Sequence, residues 1–366
     1  MAEVLRVAGP VLVGPDEVAD GLWVLDGRVT YERPTGSHEV TPLDGWAVPG
    51  LVDAHCHVGL DAHGAVDAAT TQAQALTDRD AGALLLRDAG SPADTRWVDD
   101  RDDLPRIVRA GRHIARTRRY IRNYAEEVEP DALTATMVAQ ARRSDGWVKI
   151  VGDWIDRGSG DLAPCWPADA LVDGIAAAHA AGARVTAHCF GEDCLPDLLA
   201  AGIDGIEHAT GLTARTTEQA AAAGVAIVPT LVNIATFPQI AAPARGRYDR
   251  YADHMLALHA RRYATIAAAH EAGIAVYAGT DAGGSLPHGL VAQEVAELAK
   301  AGLSRTQALD AACWAARRWL GRPGLEEGAP ADLVLLAGDP RQDLGVLASP
   351  LAVVLRGNAA ATRPGS

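Results

Sequence analysis

Phenylalanine is all but missing from this chain, with two residues among 366, and aromatic side chains together make up only 5%. A large core is still expected, because 48% of the residues are apolar, but small aliphatic groups must fill most of it. The length suits a barrel with a smaller accessory domain better than one small core. Basic charge is short as well: 33 Lys and Arg stand against 47 Asp and Glu, a formal net charge of −14. Such a chain repels phosphate backbones, so nucleic acid is not an expected partner, whereas cations are favoured. Cysteine is sparse and odd in number, with five residues at 56, 165, 189, 194 and 313. That count, with no leader-like opening segment, predicts a reducing, cytoplasmic setting rather than a disulfide framework. Cys189 and Cys194 are near neighbours, but no second pair stands at zinc-ligand spacing, so two semi-buried thiols are expected. No apolar run is long and unbroken enough to span a bilayer, and no membrane contact is expected.

What is present alternates. Short apolar runs at Val48–Val52, Ala83–Leu86, Arg106–Val108, Trp147–Val151, Arg184–Ala187, Ile203–Ile206, Val225–Val228 and Ile274–Ala278 read as strands. Helix-like stretches lie between them at Ala65–Ala81, Asp131–Arg143, Ala168–Ala181, Cys194–Ala201, Ala214–Ala223 and Tyr248–Ala272. Ala-Gly pairs recur just before strands, at 181–182, 201–202, 223–224 and 272–273, where glycine ends a helix. Alternating strand and helix predicts a parallel sheet, and eight repeats predict closure into a (β/α)8 TIM barrel over residues 48–324. An open doubly wound sheet is the rival, but the glycine-rich dinucleotide loop is missing. Both ends of the chain carry short strand signals: Val4–Val7, Pro10–Val13, Leu22–Leu25 and Arg28–Tyr31 with a hairpin signal at Asp26-Gly27, then Asp332–Ala337 and Leu351–Arg356. Residues 1–47 and 325–366 are therefore expected to form one small β-sandwich domain.

Barrel enzymes keep their chemistry at the C-terminal ends of the strands. Those ends carry Asp53-Ala54-His55-Cys56-His57, Arg87-Asp88, Lys149, His188, His208 and Asp281. Taken singly, each has a plain reading. A lone buried histidine is usually a hydrogen-bonded core residue, Asp281 suits a turn or a helix cap, and Lys149 suits a buried ion pair. On an extended strand, however, His55 and His57 point to the same face and can hold one ion together. The convergence of so many ligand-type side chains favours a metal site over a set of unrelated structural roles.

These motifs resemble the amidohydrolase superfamily. The likeness is carried by Val48-Pro49-Gly50-Leu51-Val52-Asp53-Ala54-His55-Cys56-His57, Arg87-Asp88-Ala89-Gly90, Lys149, Ala187-His188, Gly205-Ile206-Glu207-His208 and Gly279-Thr280-Asp281-Ala282. The tail Gly328-Ala329-Pro330-Ala331-Asp332-Leu333-Val334, followed by Gly338-Asp339-Pro340, extends it over nearly the whole chain. Within the superfamily the chain is most similar to imidazolonepropionase-like and prolidase-like amidohydrolases, many of which cleave amide bonds. The resemblance implies two divalent metal ions, with zinc the expected metal. His55, His57 and Asp281 would hold the more buried ion, His188 and His208 the more exposed one. Lys149, carboxylated on Nζ by carbon dioxide, would bridge them. A hydroxide shared by the ions would attack the carbonyl of a small-molecule amide such as an N-acyl amino acid, dipeptide or cyclic amide. Asp281 would act as general base and then acid.

The sequence departs from those relatives in two loops, His113 to Tyr124 and Gly152 to Arg157, so the substrate is not fixed by resemblance. Tyr120, Arg122, Trp154 and His288 are the candidates for substrate contact, an arginine fork being suited to a carboxylate. Each is equally readable as a loop residue with no such role. Competing readings are a mononuclear deaminase, with Glu192 as proton shuttle, a lactonase or esterase on the same scaffold, and a non-catalytic assembly protein. Oligomeric state is left open, a homo-oligomer included.

Overall fold

The computed structural model describes residues 3–362. Its centre is a barrel of parallel strands: Leu51–Cys56, Ala83–Asp88, Arg106–Arg109, Trp147–Val151, Arg184–Cys189, Gly205–His208 and Ala226–Val228, called first to seventh here. The first strand pairs with the second and the second with the third; the fourth to seventh pair in sequence order. The eighth run does not form a regular strand. Residues 275–282 instead close the barrel through single parallel bridges, Ile227 with Val276 and Cys56 with Ala282. The cause is local: Asp281 adopts φ 58°, and the N–H groups of Thr280 and Asp281 both converge on the carbonyl of His55. An even ladder cannot pass through a left-handed residue.

Six helices stand close to their expected positions, from Ala68–Asp80 to the long Asp249–Glu271. Gly224 (φ 69°) and Gly273 (φ 86°) end two of them in the left-handed region that a side chain disfavours. Two short parallel strands that the sequence did not suggest, Ile114–Arg116 and Glu126–Val128, extend the sheet beside the fourth strand. They pin both ends of the loop that carries Tyr120.

The chain ends meet in two sheets. One holds Glu3–Val7, Leu22–Leu25, Arg28–Thr30 and Glu39–Leu43; the other includes Val11–Leu12, Trp46–Pro49, Leu333–Leu336 and Ala352–Leu355. Val7, Val24 and Val29 of the first share one apolar cluster with Ala47, Leu333, Leu335 and Val354 of the second, so the sheets pack as a sandwich. Asp26 (φ 50°) and Gly27 (φ 75°) form the tight hairpin turn. The run expected as one strand at Val48–Val52 is divided. Trp46–Pro49 pairs antiparallel with Leu333–Leu336, and the barrel strand starts at Leu51, beyond Gly50.

Behind the seventh strand, Thr230 also adopts a left-handed backbone, φ 49°, and starts the short helix Leu231–Ile234. That helix is held from below. Glu294, buried on the helix Val291–Lys300, accepts the N–H groups of Leu231 and Val232, both at 2.9 Å. Burial pushes its carboxyl up to about 8. The folded protein therefore keeps a proton that the unfolded chain releases in the ordinary carboxylate range. The stabilisation from this group is full at acid pH and is lost as pH rises through about 8. The urea midpoint is expected to fall from about pH 5 to about pH 9, and Glu294→Gln to flatten that fall. Parallel slopes in the two proteins would contradict the assignment.

Candidate metal centre

His55 lies at the end of the first strand and His57 two residues on, and their side chains do share a face. Nε2 of each lies 3.1 Å from Oδ1 of Asp281, and the two nitrogens are 3.3 Å apart. His208 joins them from the sixth strand: donor atoms of His55, His208 and Asp281 all lie within 4.8 Å of one another. Regular alternation would point His208 away from the face that Glu207 occupies. The left-handed backbone at His208 (φ 68°) and Ala209 (φ 56°) breaks that alternation and turns the imidazole inward. With Thr230 and Asp281, this makes four strained non-glycine residues around one point, a concentration typical of sites where geometry is imposed by function.

The far nitrogen of each ring is tied. His55 Nδ1 meets Glu207 Oε2 at 2.7 Å, His57 Nδ1 the carbonyl of Gly90 at 2.7 Å, and His208 Nδ1 the hydroxyl of Thr230 at 2.7 Å. A carboxylate and a carbonyl only accept, so Nδ1 of His55 and His57 carries hydrogen, and Nε2 is the atom each ring has left for a ligand. Glu207 is fully buried and also accepts from Arg87 at 2.8 Å and Thr186 at 2.5 Å. Burial opposes its ionisation, but Arg87 and His55 outweigh burial and hold its carboxyl well below the usual range. Arg87, itself buried, spans from Glu207 to the carbonyl of Ala54 and stacks over Trp147. Asp281 is partly shielded, yet its histidine neighbours keep its carboxyl well below the ordinary value, and Asn233 donates to its Oδ2 at 2.7 Å.

Lys149 is buried in the fourth strand with no ion-pair partner among the described residues. Burial lowers its pKa, and, after burial, its charge opposes protonation of His55, His188 and His208, although at His55 Glu207 and Asp281 prevail and raise the ring. The His188 ring lies 4.6 Å from that of His208. Burial, then the neighbouring cations, push both rings well below the ordinary imidazole range. Nε2 of His188 is buried without a hydrogen-bond partner, 3.9 Å from Oδ1 of Asp153.

The four candidates for substrate contact separate. Tyr120 and Trp154 stand together, ring centroids 4.7 Å apart, and both touch the His188 ring, at 5.6 and 5.4 Å. Arg122 is exposed on the loop between the two short strands Ile114–Arg116 and Glu126–Val128. His288 is held instead by Asp78, Nδ1 to Oδ2 at 2.7 Å, and this carboxylate raises its pKa despite burial. Glu192, the shuttle of the deaminase reading, has both oxygens engaged by His254 and Arg261. The five cysteines are buried and free.

Several residues of the site carried no assigned role in the sequence. Glu207 and Arg87 stood inside quoted motifs, but only their meeting across the barrel shows what they do. His113 donates through Nδ1 to the same Gly90 carbonyl that holds His57, at 2.9 Å, and its Nε2 is buried without a partner. Thr230 and Asn233 follow the seventh strand, where no sequence signal marks them.

Nε2 of His55, Nε2 of His57 and Oδ1 of Asp281 therefore converge with the hydrogens of both rings committed elsewhere. Electron-rich atoms so placed are a donor set for a divalent cation, and carboxylate or carbonyl partners on the far nitrogens are what such ligands require.

The sequence profile of the amidohydrolase family matches residues 46–360. Uncharacterized proteins of Mycobacterium tuberculosis and Mycobacterium bovis are 58% identical over 344 residues, covering 94% of this chain and 92% of theirs. Among solved structures, a Xaa-Pro dipeptidase with bound methionine is similar at a TM-score of 0.81 and 20% identity, over 98% of this chain and 99% of its own. Ochratoxinase of A. niger gives 0.78 at 18% identity, over 99% and 96%. Phenylurea hydrolase B gives 0.70 at 17% identity, over 97% and 96%. The structural likenesses establish the shared fold, and the profile spans most of the sequence: the chain belongs to the amidohydrolase family.

Proposed function

We propose that this protein hydrolyses a carbon–nitrogen bond of a small molecule, using two divalent ions, zinc the expected metal, held by His55, His57, Lys149, His188, His208 and Asp281. The observation that carries the reading is the convergence of Nε2 of His55 and His57 on Asp281 with Nδ1 of both rings already committed. The names of the structural relatives, a dipeptidase and a phenylurea hydrolase among them, support C–N cleavage on this scaffold. Bound divalent ions supply Lewis acidity toward a carbonyl and acidify water.

The chain's own residues do the rest. His55 and His57 are locked in orientation by Glu207 and Gly90, so no rotamer search precedes binding. Asp281 is the general base. Its Oδ1 faces His55 and His57, so Oδ2, oriented by Asn233, is the oxygen that takes a proton from the attacking water and returns it to the leaving nitrogen. Burial favours the neutral amine of Lys149, the form that adds carbon dioxide, and the carbamate is a bidentate oxygen ligand. Both oxygens of Glu192 being engaged disfavours the deaminase reading.

Elemental analysis of the purified protein is expected to find about two divalent ions per chain, and Lys149→Ala to lose activity together with about one of them. One ion in the wild type, with activity intact in Lys149→Ala, would return the mononuclear reading. Apo-protein is expected to recover more activity with metal plus bicarbonate than with metal alone at limiting carbon dioxide. Equal recovery would remove the carbamate. Glu207→Gln leaves the buried Arg87 unpaired and frees His55, so it is expected to cost about 3–5 kcal/mol in stability. It should also weaken metal binding by about 10–100-fold. Unchanged denaturation and metal titration curves would show that Glu207 does not organise the site.

A further inference from the structure

We infer that the substrate is an uncharged amide-type molecule with an aromatic group beside its N–H, and not a dipeptide or an N-acyl amino acid; this rests on the hydrolase reading above. Three sets of contacts point the same way. The first is the wall beside His188. Tyr120 and Trp154 are only half-buried, at a site where both rings touch His188. Phe190 packs 4.2 Å from His188, and Phe237 stands 4.7 Å behind Phe190. A chain with two phenylalanines thus spends both on this wall. Half-exposed aromatic faces beside a polar cluster favour an aromatic partner in edge or offset contact.

The second is the state of the cations. A substrate carboxylate in a water-poor pocket needs a fixed guanidinium or ammonium. The partly buried arginines of the neighbouring loops are tied to main-chain carbonyls, although Nε of Arg119 stays buried without a partner. Arg119 donates to the carbonyls of Trp154 and Ala163, Arg116 to Cys165, and Arg112 to Tyr124 and Asn123. Arg118, Arg122 and Arg157 are exposed on the loop surfaces.

The third is His113. Its Nδ1–H is given to the Gly90 carbonyl, so the buried, unpartnered Nε2 is the acceptor of the neutral ring. The His113 ring lies 5.2 Å from Tyr120 and 5.6 Å from His57, between the wall and the metal cluster. The complement of a buried acceptor at that point is a substrate N–H.

The test uses metal-loaded protein and paired probes. N-benzoylglycinamide replaces the carboxylate of N-benzoylglycine by a neutral amide; oxindole and N-methyloxindole, whose ring fixes the amide rotamer, differ in the N–H. The neutral amide is expected to exceed the acid in kcat/KM by at least about tenfold, a difference of the size that one unpaired polar contact gives. N-methylation is expected to cost about as much, and His113→Phe to erase that second difference alone. Trp154→Ala should raise KM for the neutral probes with kcat little changed, and Trp154→Leu repeats the measurement should the alanine variant fail to fold. Preference for the acid, or a Trp154→Leu protein with unaltered KM, would overturn the inference while leaving the hydrolase reading intact. If no probe is cleaved, calorimetric titration decides. Saturable binding of the neutral probes alone, weakened in Trp154→Leu, upholds the preference for a neutral aromatic ligand and counts against turnover only of these probes; absence of binding overturns the inference.

Discussion

The site depends on one buried carboxylate. Glu207 joins the sixth strand to the fifth through Thr186, to the second through Arg87 and to the first through His55. A charge so deep is tolerable only because every partner is in place. Arg87 neutralises it, and Arg87 is in turn spread over the face of Trp147 and bonded to the Ala54 carbonyl. The same contact that satisfies the charge sets the tautomer of His55. Barrel stability and ligand orientation are thus one set of bonds, and neither can be altered without the other.

Above this floor the geometry is paid for in backbone strain. Four non-glycine residues, His208, Ala209, Thr230 and Asp281, sit in the left-handed region around the histidine–aspartate cluster. His208 is turned inward, Thr230 receives its ring, and Asp281 reaches over His55 and His57 while interrupting the eighth strand. The regular ladders on either side supply the rigidity that holds these conformations. Glu294 adds a prop from outside the barrel by fixing the first turn after Thr230.

The loops follow a different logic. They are stitched to each other through main-chain carbonyls. Arg119 links the Tyr120 loop to the hairpin that carries Trp154, and His254 links that hairpin to the loop after the fifth strand, through Asp161 and Glu192 at 2.9 and 2.8 Å. His254 is raised to about 9, first by its bond to Glu192, so this clasp is charged at neutral pH. The result is a preformed aromatic wall, consistent with recognition by shape and apolar contact.

Periodicity and punctuation were enough to read the barrel. Seven strand runs, six helices and the glycine-terminated helix ends depend on local apolar spacing and on φ, which nearest neighbours determine. The same-face relation of His55 and His57 was legible for the same reason. Local rules failed where the chain leaves them. The first run proved to be two strands in two domains, because Trp46–Pro49 finds its partner at Leu333–Leu336, far away in sequence. The eighth run became two bridges, because Asp281 turns left-handed. Which loop residues face the site was beyond sequence as well. Tyr120 and Trp154 are brought to His188, Arg122 is left in solvent, and His288 is claimed by Asp78. By itself, then, the sequence determined the strand and helix order and the ligand types at the strand ends, since both are written in spacing. Only the tertiary structure decided which nitrogens are free, which carboxylate holds them and which arginines are spent, because those depend on partners such as His57 and Asp281, 224 residues apart, meeting across a closed barrel.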